Sequence, residues 1–509
     1  MPWGPHLVEV DQTKNTYSLH LVIDAVSYIT SGWFVQRVVL LLLLLGSMCG
    51  IYKLLKTIQP SINDTIVMFA SVLYVFNPFF STRFVAGQWL VLIGYLLLPW
   101  TLRALYIFFK KLSIRTSLPV ALYLTLIGLT SIHVIGIVLI AAAALVMHSG
   151  AYMWKKKILY ITAIVITWCI LSISWVGPLI AGDSQVRAEI ESFSKTEMEA
   201  FATHGTILDS PPISAALLTG FWADDTNRYI LPSQLPVWWI GVFIIMTMVI
   251  TGIVQAIKRR DKLGYTFISL GVISWLLGIG IAWNVSAPLT ELLAHIVPYY
   301  NGYREPHKWL MLLTLVYVYL AAIGAQWLYT RIARYKSIWL NYGFVTLLFV
   351  SPFLFAPTLA WGAAGQLKSV EYPQQWQEAK TYLNTNTDKN TTVLVLPWHM
   401  YLPISFVGRV VGNPSGYYFD QKMITGNNFE LKGVQDQRQT PLTKYVNSTL
   451  STPSSFPKAG VGENLRKYDV EYVLLLKEAD WQNYTWLNSQ SKIKPVVSND
   501  KLILYKVER

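Results

Sequence analysis

The sequence predicts a polytopic α-helical membrane protein of about ten spans with a C-terminal extracytoplasmic α/β domain. Three observations carry this. Of 509 residues, 53% are hydrophobic and only 14% charged, whereas a soluble domain carries about 25% charged residues. Apolar stretches of membrane length recur, and Lys and Arg gather at alternate ends of them, as the basic bias of cytoplasmic loops requires. After Ala363 the composition changes, and shorter helical and strand-like patterns take over. The net charge of +13 is therefore loop charge of this kind and not a nucleic-acid footprint. The two cysteines, Cys49 and Cys169, both lie in apolar segments and suggest neither a disulfide framework nor a metal cluster.

Each element follows in order. Met1–Gly32 is polar and amphipathic, with no basic region ahead of an apolar core, so it reads as an external segment and not a signal peptide. Trp33–Leu55 is the first span, and Lys53 and Lys56 put its end in the cytoplasm. Thr65–Phe80 runs outward to Asn77-Pro-Phe-Phe-Ser-Thr-Arg83, and Gln88–Phe109 returns to Lys110, Lys111 and Arg115. Leu118–Met147 is too long for one straight span and is basic on both flanks, which predicts two short helices meeting near Thr130–His133. Ile158–Ile180 leads out to an acid-rich external loop, 181–236, with helical stretches at Val186–Phe201 and Ile213–Trp222. Val237–Ile257, Leu263–Ala282, Trp309–Tyr329 and Ile338–Trp361 complete a transmembrane domain over 33–362. In the domain 363–509, Trp376, Ala379 and Leu383 share one helical face, and Thr392–Leu396, Glu471–Leu476 and Leu502–Val507 read as strands.

No phosphate-binding glycine loop, metalloprotease helix, paired-cysteine motif or nucleophile elbow is present. The chemistry-bearing residues are instead polar groups at the outer ends of spans. Asn77, Arg83, Gln88, Arg304, Glu305, His307 and Lys308 are candidates for gripping a phosphate group, since Arg and Lys carry permanent charge and Arg can hold two oxygens. Arg83 and the pair Arg304 and Lys308 lie far apart in sequence, so either each cation meets its own headgroup around the perimeter or all three line one shared cavity. Asp11, Asp24 and Asp183 are candidate general bases for a hydroxyl acceptor. Plainer roles stand beside these: solvated tail residues for the aspartates, a cation reaching back to water for Arg83, and a hydrogen-bonded bridge between the two short helices for His133.

The layout resembles the C-type fold of polytopic membrane glycosyltransferases, and most of all their YfhO-like bacterial and archaeal relatives. Asn77–Arg83 with Gly87-Gln88, Arg304-Glu-Pro-His-Lys308, Tyr372-Pro-Gln-Gln-Trp376, and Leu394-Val-Leu-Pro-Trp398 with Gly412-Asn-Pro414 carry the resemblance. It implies an enzyme of the plasma membrane that moves a sugar from a polyisoprenyl-phosphate donor to an exported glycan, lipid or protein acceptor, with a divalent cation such as magnesium or manganese as an optional helper. It also implies a catalytic acid in a first external loop that follows a first helix. Here that helix is absent, so Met1–Gly32, with Asp11 and Asp24, would be the remnant of that loop. The competing class is a non-catalytic flippase, transporter or assembly factor of cell-envelope glycans. A transporter needs polar residues through the midplane, and the spans offer chiefly Ser131, His133 and Gln255.

Overall fold

A computed structural model of the chain describes residues 14–148, 154–181, 195–226, 228–426, 440–451 and 460–508. The described residues of Val10–Ile23 and Gln36–Lys368 form one compact unit, and those of Asp24–Val35 and Ser369–Arg509 a second.

The helices are, in chain order, α1 (Tyr17–Ile29), α2 (Gly32–Ile58), α3 (Asp64–Val75), α4 (Pro78–Val85), α5 (Trp89–Lys110), α6 (Ile114–Gly128), α7 (His133–His148), α8 (Trp154–Leu171), α9 (Ile173–Ala181), α10 (Val237–Lys258), α11 (Lys262–Ile279), α12 (Ala287–Ile296), α13 (Leu310–Ala333) and α14 (Ile338–Phe355). Among the described residues six helices (α2, α5, α10, α11, α13 and α14) are long and apolar enough to cross a membrane, and up to eight spans result if each of two bent pairs is one span. The pairs are α3 with α4, bent by 41°, and α8 with α9, bent by 92°. The first bend has a local cause: Pro78 cannot continue α3, and Asn77 caps a fresh helix by accepting the Phe80 N–H. The long stretch Leu118–Met147 is indeed two helices, α6 and α7, of 15 and 16 residues. At ~1.5 Å per residue each is shorter than the ~30 Å hydrocarbon core.

Helix α13 is the centre of this unit, with nearly every side chain from Leu310 to Ala325 buried. It meets α10 through glycines. A Cβ on Gly252 would stand 2.0 Å from the Leu320 carbonyl oxygen, and one on Gly324 2.0 Å from that of Met248. Small residues that admit a neighbouring backbone are how helices associate where water supplies no hydrophobic drive.

The external loop differs from its sequence pattern. Of the expected helix Val186–Phe201, only Lys195–Ala200 is helical among the described residues, and Val186 lies outside them. The expected helix Ile213–Trp222 is a short turn of helix, Pro211–Ala216. Leu218 (φ 60°) and Gly220 (φ 90°) take left-handed backbone there, which ends the helix and turns Phe221 and Trp222 inward.

In the second unit, a five-stranded sheet runs in the order β4-β1-β5-β7-β6. Its strands are β1 (Thr392–Leu396), β4 (Lys422–Ile424), β5 (Val470–Leu476), β6 (Ile493–Ser498) and β7 (Leu502–Val507), while β2 (Tyr401–Ile404) and β3 (Arg409–Gly412) form a separate hairpin. β1 is parallel to both β4 and β5, and β7 is antiparallel to β5 and β6. Alternation sorts the side chains into two cores. Val393, Val395, Leu474 and Leu504 face Trp376, Ala379 and Leu383 of α15 (Gln374–Asn386). Leu394, Leu396, Leu475 and Tyr505 face Val461 and Leu465 of α16 (Val461–Lys467). Covered on both faces, β1 is apolar throughout its buried length, as a parallel strand should be.

Candidate functional site

The site is assembled from three stretches of the helical unit. Asn77 starts α4 and fixes the direction in which that helix presents Arg83 five residues before Gln88. The junction before α13 is two tight turns, Tyr300–Tyr303 and Pro306–Trp309, with Tyr299 at φ 64°. These short turns bring Glu305, His307 and Lys308 to the head of α13. Thr219, Phe221 and Trp222 of the external loop reach both.

Glu305 is the hub. Its Oε2 receives Arg83 Nη1 at 3.4 Å and Lys308 Nζ at 3.0 Å. Its Oε1 accepts the indole N–H of Trp222 and, at 3.5 Å, the Gln88 amide. Gln88 in turn accepts a hydrogen bond from Arg83 Nη1. Burial disfavours the charged carboxylate, but the Lys308 and Arg83 charges and the hydrogen bonds from Lys308 and Trp222 outweigh it and hold Glu305 well below the ordinary carboxylate range. Arg83 is fully buried, with its guanidinium 4.1 Å from the Phe221 ring centre and 5.5 Å from that of Phe79.

The His307 tautomer follows from its neighbours. Nε2 lies 3.2 Å from the Thr219 carbonyl oxygen, which can only accept, and Nδ1 lies 3.0 Å from Arg83 Nη2, which can only donate. The ring is therefore neutral with its hydrogen on Nε2. The same reasoning applies to His133. Its Nε2 donates to the Gly302 carbonyl at 2.8 Å, so the 3.5 Å approach of Lys308 Nζ to that nitrogen is proximity and not a second hydrogen bond. The Tyr303 hydroxyl donates back to the His133 carbonyl.

Behind Phe221 sits Asp224. Its Oδ2 accepts the backbone N–H groups of Gly220 and Phe221, and its Oδ1 the Tyr229 hydroxyl, each at 3.0 Å. Burial raises this carboxyl to about 7 despite those hydrogen bonds and the nearby Arg83 charge. A carboxyl raised that far is only partly ionised near neutral pH, so Glu305 and Asp224 together do not fully balance the charges of Arg83 and Lys308. The cluster thus favours an additional anion. Arg304 lies at its edge, 3.7 Å from Glu197 and over the Phe201 ring. Lys308 and Arg304 side chains keep 12% and 17% exposure, so they are the cations a solvent-borne or lipid-borne group can reach.

The structure brings together Arg83, Gln88, Glu305, His307 and Lys308. Arg304 joins through the neighbouring Glu197 pair. Asn77 spends its side chain internally, donating to the Leu73, Tyr74 and Tyr95 oxygens and accepting from Phe80. Asp24 is buried on α1 and belongs to the second compact unit. Asp11 and Asp183 lie outside the described residues. Trp222, Asp224, Tyr229 and Thr219 enter the cluster without any spacing signal, because left-handed residues in an irregular loop deliver them. Among the described residues no three His, Cys, Asp or Glu side chains gather to hold a metal ion. Glu305 is no substitute, since cationic and N–H donors occupy both its oxygens.

No family profile matches the sequence, and no curated protein matches it. Among solved structures, the chain is similar to the arabinofuranosyltransferase AftD from mycobacteria, determined by single-particle cryo-EM, with a TM-score of 0.59 and 14% sequence identity. The match covers 97% of this chain and 36% of that one, so the chain spans about a third of the length of its neighbour. The likeness is one of fold alone: this is a polytopic helical membrane protein that shares the fold of part of that enzyme.

Proposed function

We propose that the chain is a membrane glycosyltransferase, moving a sugar from a polyisoprenyl-phosphate donor to an exported cell-envelope glycan, lipid or protein. The observation that carries this is the charge-unbalanced cluster around Glu305, where Arg83 and Lys308 meet from positions more than two hundred residues apart. Lys308 and Arg304 are the reachable cations for the lipid phosphate, and the buried Arg83 backs them by holding Glu305 and His307 in place. In an inverting single displacement, the acceptor oxygen bonds to the anomeric carbon as the bond from that carbon to the phosphate oxygen breaks. The acceptor proton passes to an acid residue, for which Asp11, Asp24 and Asp183 remain the candidates. The phosphate leaves with the electron pair, and fixed cations stabilise the charge it gains.

His133 stands at the α6–α7 break against Gly302 and Lys308, beside the cluster, and its contacts there support a role in holding that site over one in transport. In this reading the short helices α6 and α7 also cross the plasma membrane, which thins locally to match them, making ten spans, and the second unit is extracytoplasmic. Purified protein assayed with a panel of polyprenyl-phosphate sugars should release sugar. Arg304→Ala should lower turnover far more than it lowers the yield of folded protein. Absence of turnover across the panel, with and without magnesium or manganese, overturns the proposal.

A further inference from the structure

The second unit holds a cluster that the transferase reading does not use. The chain leaves β1 toward β4 on one side and, after β4, passes to β5 on the other side of β1. Strand order therefore reverses at β1. In open sheets with parallel strands, loops diverge at such a point and leave a crevice outside the carboxyl ends of the strands, where ligands bind. Here β1 ends at Leu396 and is followed by Pro397, Trp398 and His399; β5 ends at Leu476 and is followed by Lys477–Asp480 and a tight helix, Trp481–Ser489.

Two side chains meet across that point. His399 Nε2 lies 2.9 Å from Asp480 Oδ1, and Asp480 Oδ2 accepts the Asn483 amide at 3.2 Å. The His399 and Asp480 side chains are 30% and 41% exposed, so the pair stands at the surface beyond the strand ends, where that rule puts the crevice, and not in the core. Its floor is rigid: the Trp398 indole donates to Asn447 at 2.6 Å, and its backbone N–H reaches the Tyr484 hydroxyl at 3.3 Å. Its rim is tied as well, since Ser405 donates from both backbone and hydroxyl to Glu478. The half-buried Trp481 follows Asp480 directly; the Lys477 ammonium lies 5.6 Å from the centre of one face of its ring, and the rest of the ring packs on the core or meets solvent.

We propose that this crevice is a binding site for a neutral saccharide, held by His399, Asp480 and Asn483 with the Trp481 ring as an apolar face. The chemistry selects the class. An imidazole, a carboxylate and an amide in one patch both donate and accept, as paired sugar hydroxyls require. An aromatic face beside a few convergent polar groups is the usual make-up of a small-molecule site. A phosphate is disfavoured, because Asp480 presents negative charge and the nearby Lys477 ammonium is bonded to the Asn499 carbonyl. The proposal concerns a different unit from the Glu305 cluster, and its failure leaves the transferase reading standing.

The test uses the full chain in nanodiscs and saturation-transfer NMR with maltotetraose, mannotetraose, xylotetraose and arabinotetraose. At least one should bind. His399→Ala and Asp480→Asn should each weaken it roughly tenfold or more, the usual effect of losing hydrogen bonds that involve a charged group. Trp481→Ala removes the apolar face without touching the His399–Asp480 contact and should weaken binding similarly, which keeps the test decisive if a dyad variant misfolds. Failure of all four saccharides to bind, binding unchanged in all three variants, or displacement of the bound saccharide by inorganic phosphate would each overturn the assignment.

Discussion

Replacing Glu305 with Gln tests the buried cluster most directly. The change preserves size and leaves an oxygen for the Trp222 indole, but it removes the charge that faces Arg83 and Lys308. Arg83 is fully buried and would retain only neutral partners, Gln88 and His307. Removing one member of a buried ion pair costs about 3–5 kcal/mol, chiefly because the remaining charge stays desolvated. Lys308 keeps some exposure and can turn toward water, which puts the expected loss at the lower end, about 3 kcal/mol. That is roughly a hundredfold in the folding equilibrium. The measurement is reversible unfolding in mixed detergent micelles titrated with SDS. A second arm adds Arg83→Met, which removes the stranded guanidinium and packs an apolar chain against Phe79 and Phe221. The double variant should recover part of the loss. If Glu305→Gln costs less than about 1 kcal/mol, or if the double variant is no more stable than the single one, the carboxylate is not neutralising two buried cations.

Further outcomes follow from other parts of the molecule. Asp224 has a native value near 7 against 3.8 for an unperturbed carboxyl, so the native state holds its proton where the unfolded chain has lost it. Its contribution to stability is full below 3.8 and disappears as pH rises through about 7, so unfolding should become easier across that window and Asp224→Asn should flatten the dependence. In intact cells a single cysteine at Ser369 should react with an impermeant maleimide, and one at Ser337 should not; labelling at Ser337 refutes the proposed topology. Gly324→Leu should abolish folded protein in detergent extracts, since even a Cβ there meets the Met248 carbonyl oxygen at 2.0 Å. Retention of normal yield would show that α10 and α13 separate freely.

What could be read from the sequence depended on how local its cause is. The apolar spans declare themselves by hydropathy, and the break between α6 and α7 by length and by basic residues on both flanks. β1 and β7 stand where runs of apolar and β-branched residues put them, Thr392–Leu396 and Leu502–Val507. Asn77 also carried a local signal, Asn-Pro ahead of a helix, and its role is that of a cap. The hub was only half legible. Cations at 304 and 308 flanking the acid at 305 imply an electrostatic partnership, yet nothing near Arg304 shows that it turns to Glu197 instead. Trp222 and Asp224 were hidden for another reason. Their direction is set by left-handed backbone at Leu218 and Gly220, which no hydrophobic period encodes.

The distance in sequence between Arg83 and its carboxylate has a consequence for how the protein is made. Glu305 is synthesised 222 residues after Arg83. At about 5–20 residues per second, that interval lasts roughly 10 to 45 seconds. Throughout it, α3 and α4 present a cation to the bilayer, at an insertion cost of about 2.5–3.5 kcal/mol for a residue at mid-helix and less near an end. The early helices therefore cannot reach their final seat as they emerge. The pair must wait, shallow or sheltered by the insertion machinery, until α13 delivers the opposite charge. Maturation of the α3–α4 bend is then timed by the completion of a helix near the far end of the membrane-embedded chain.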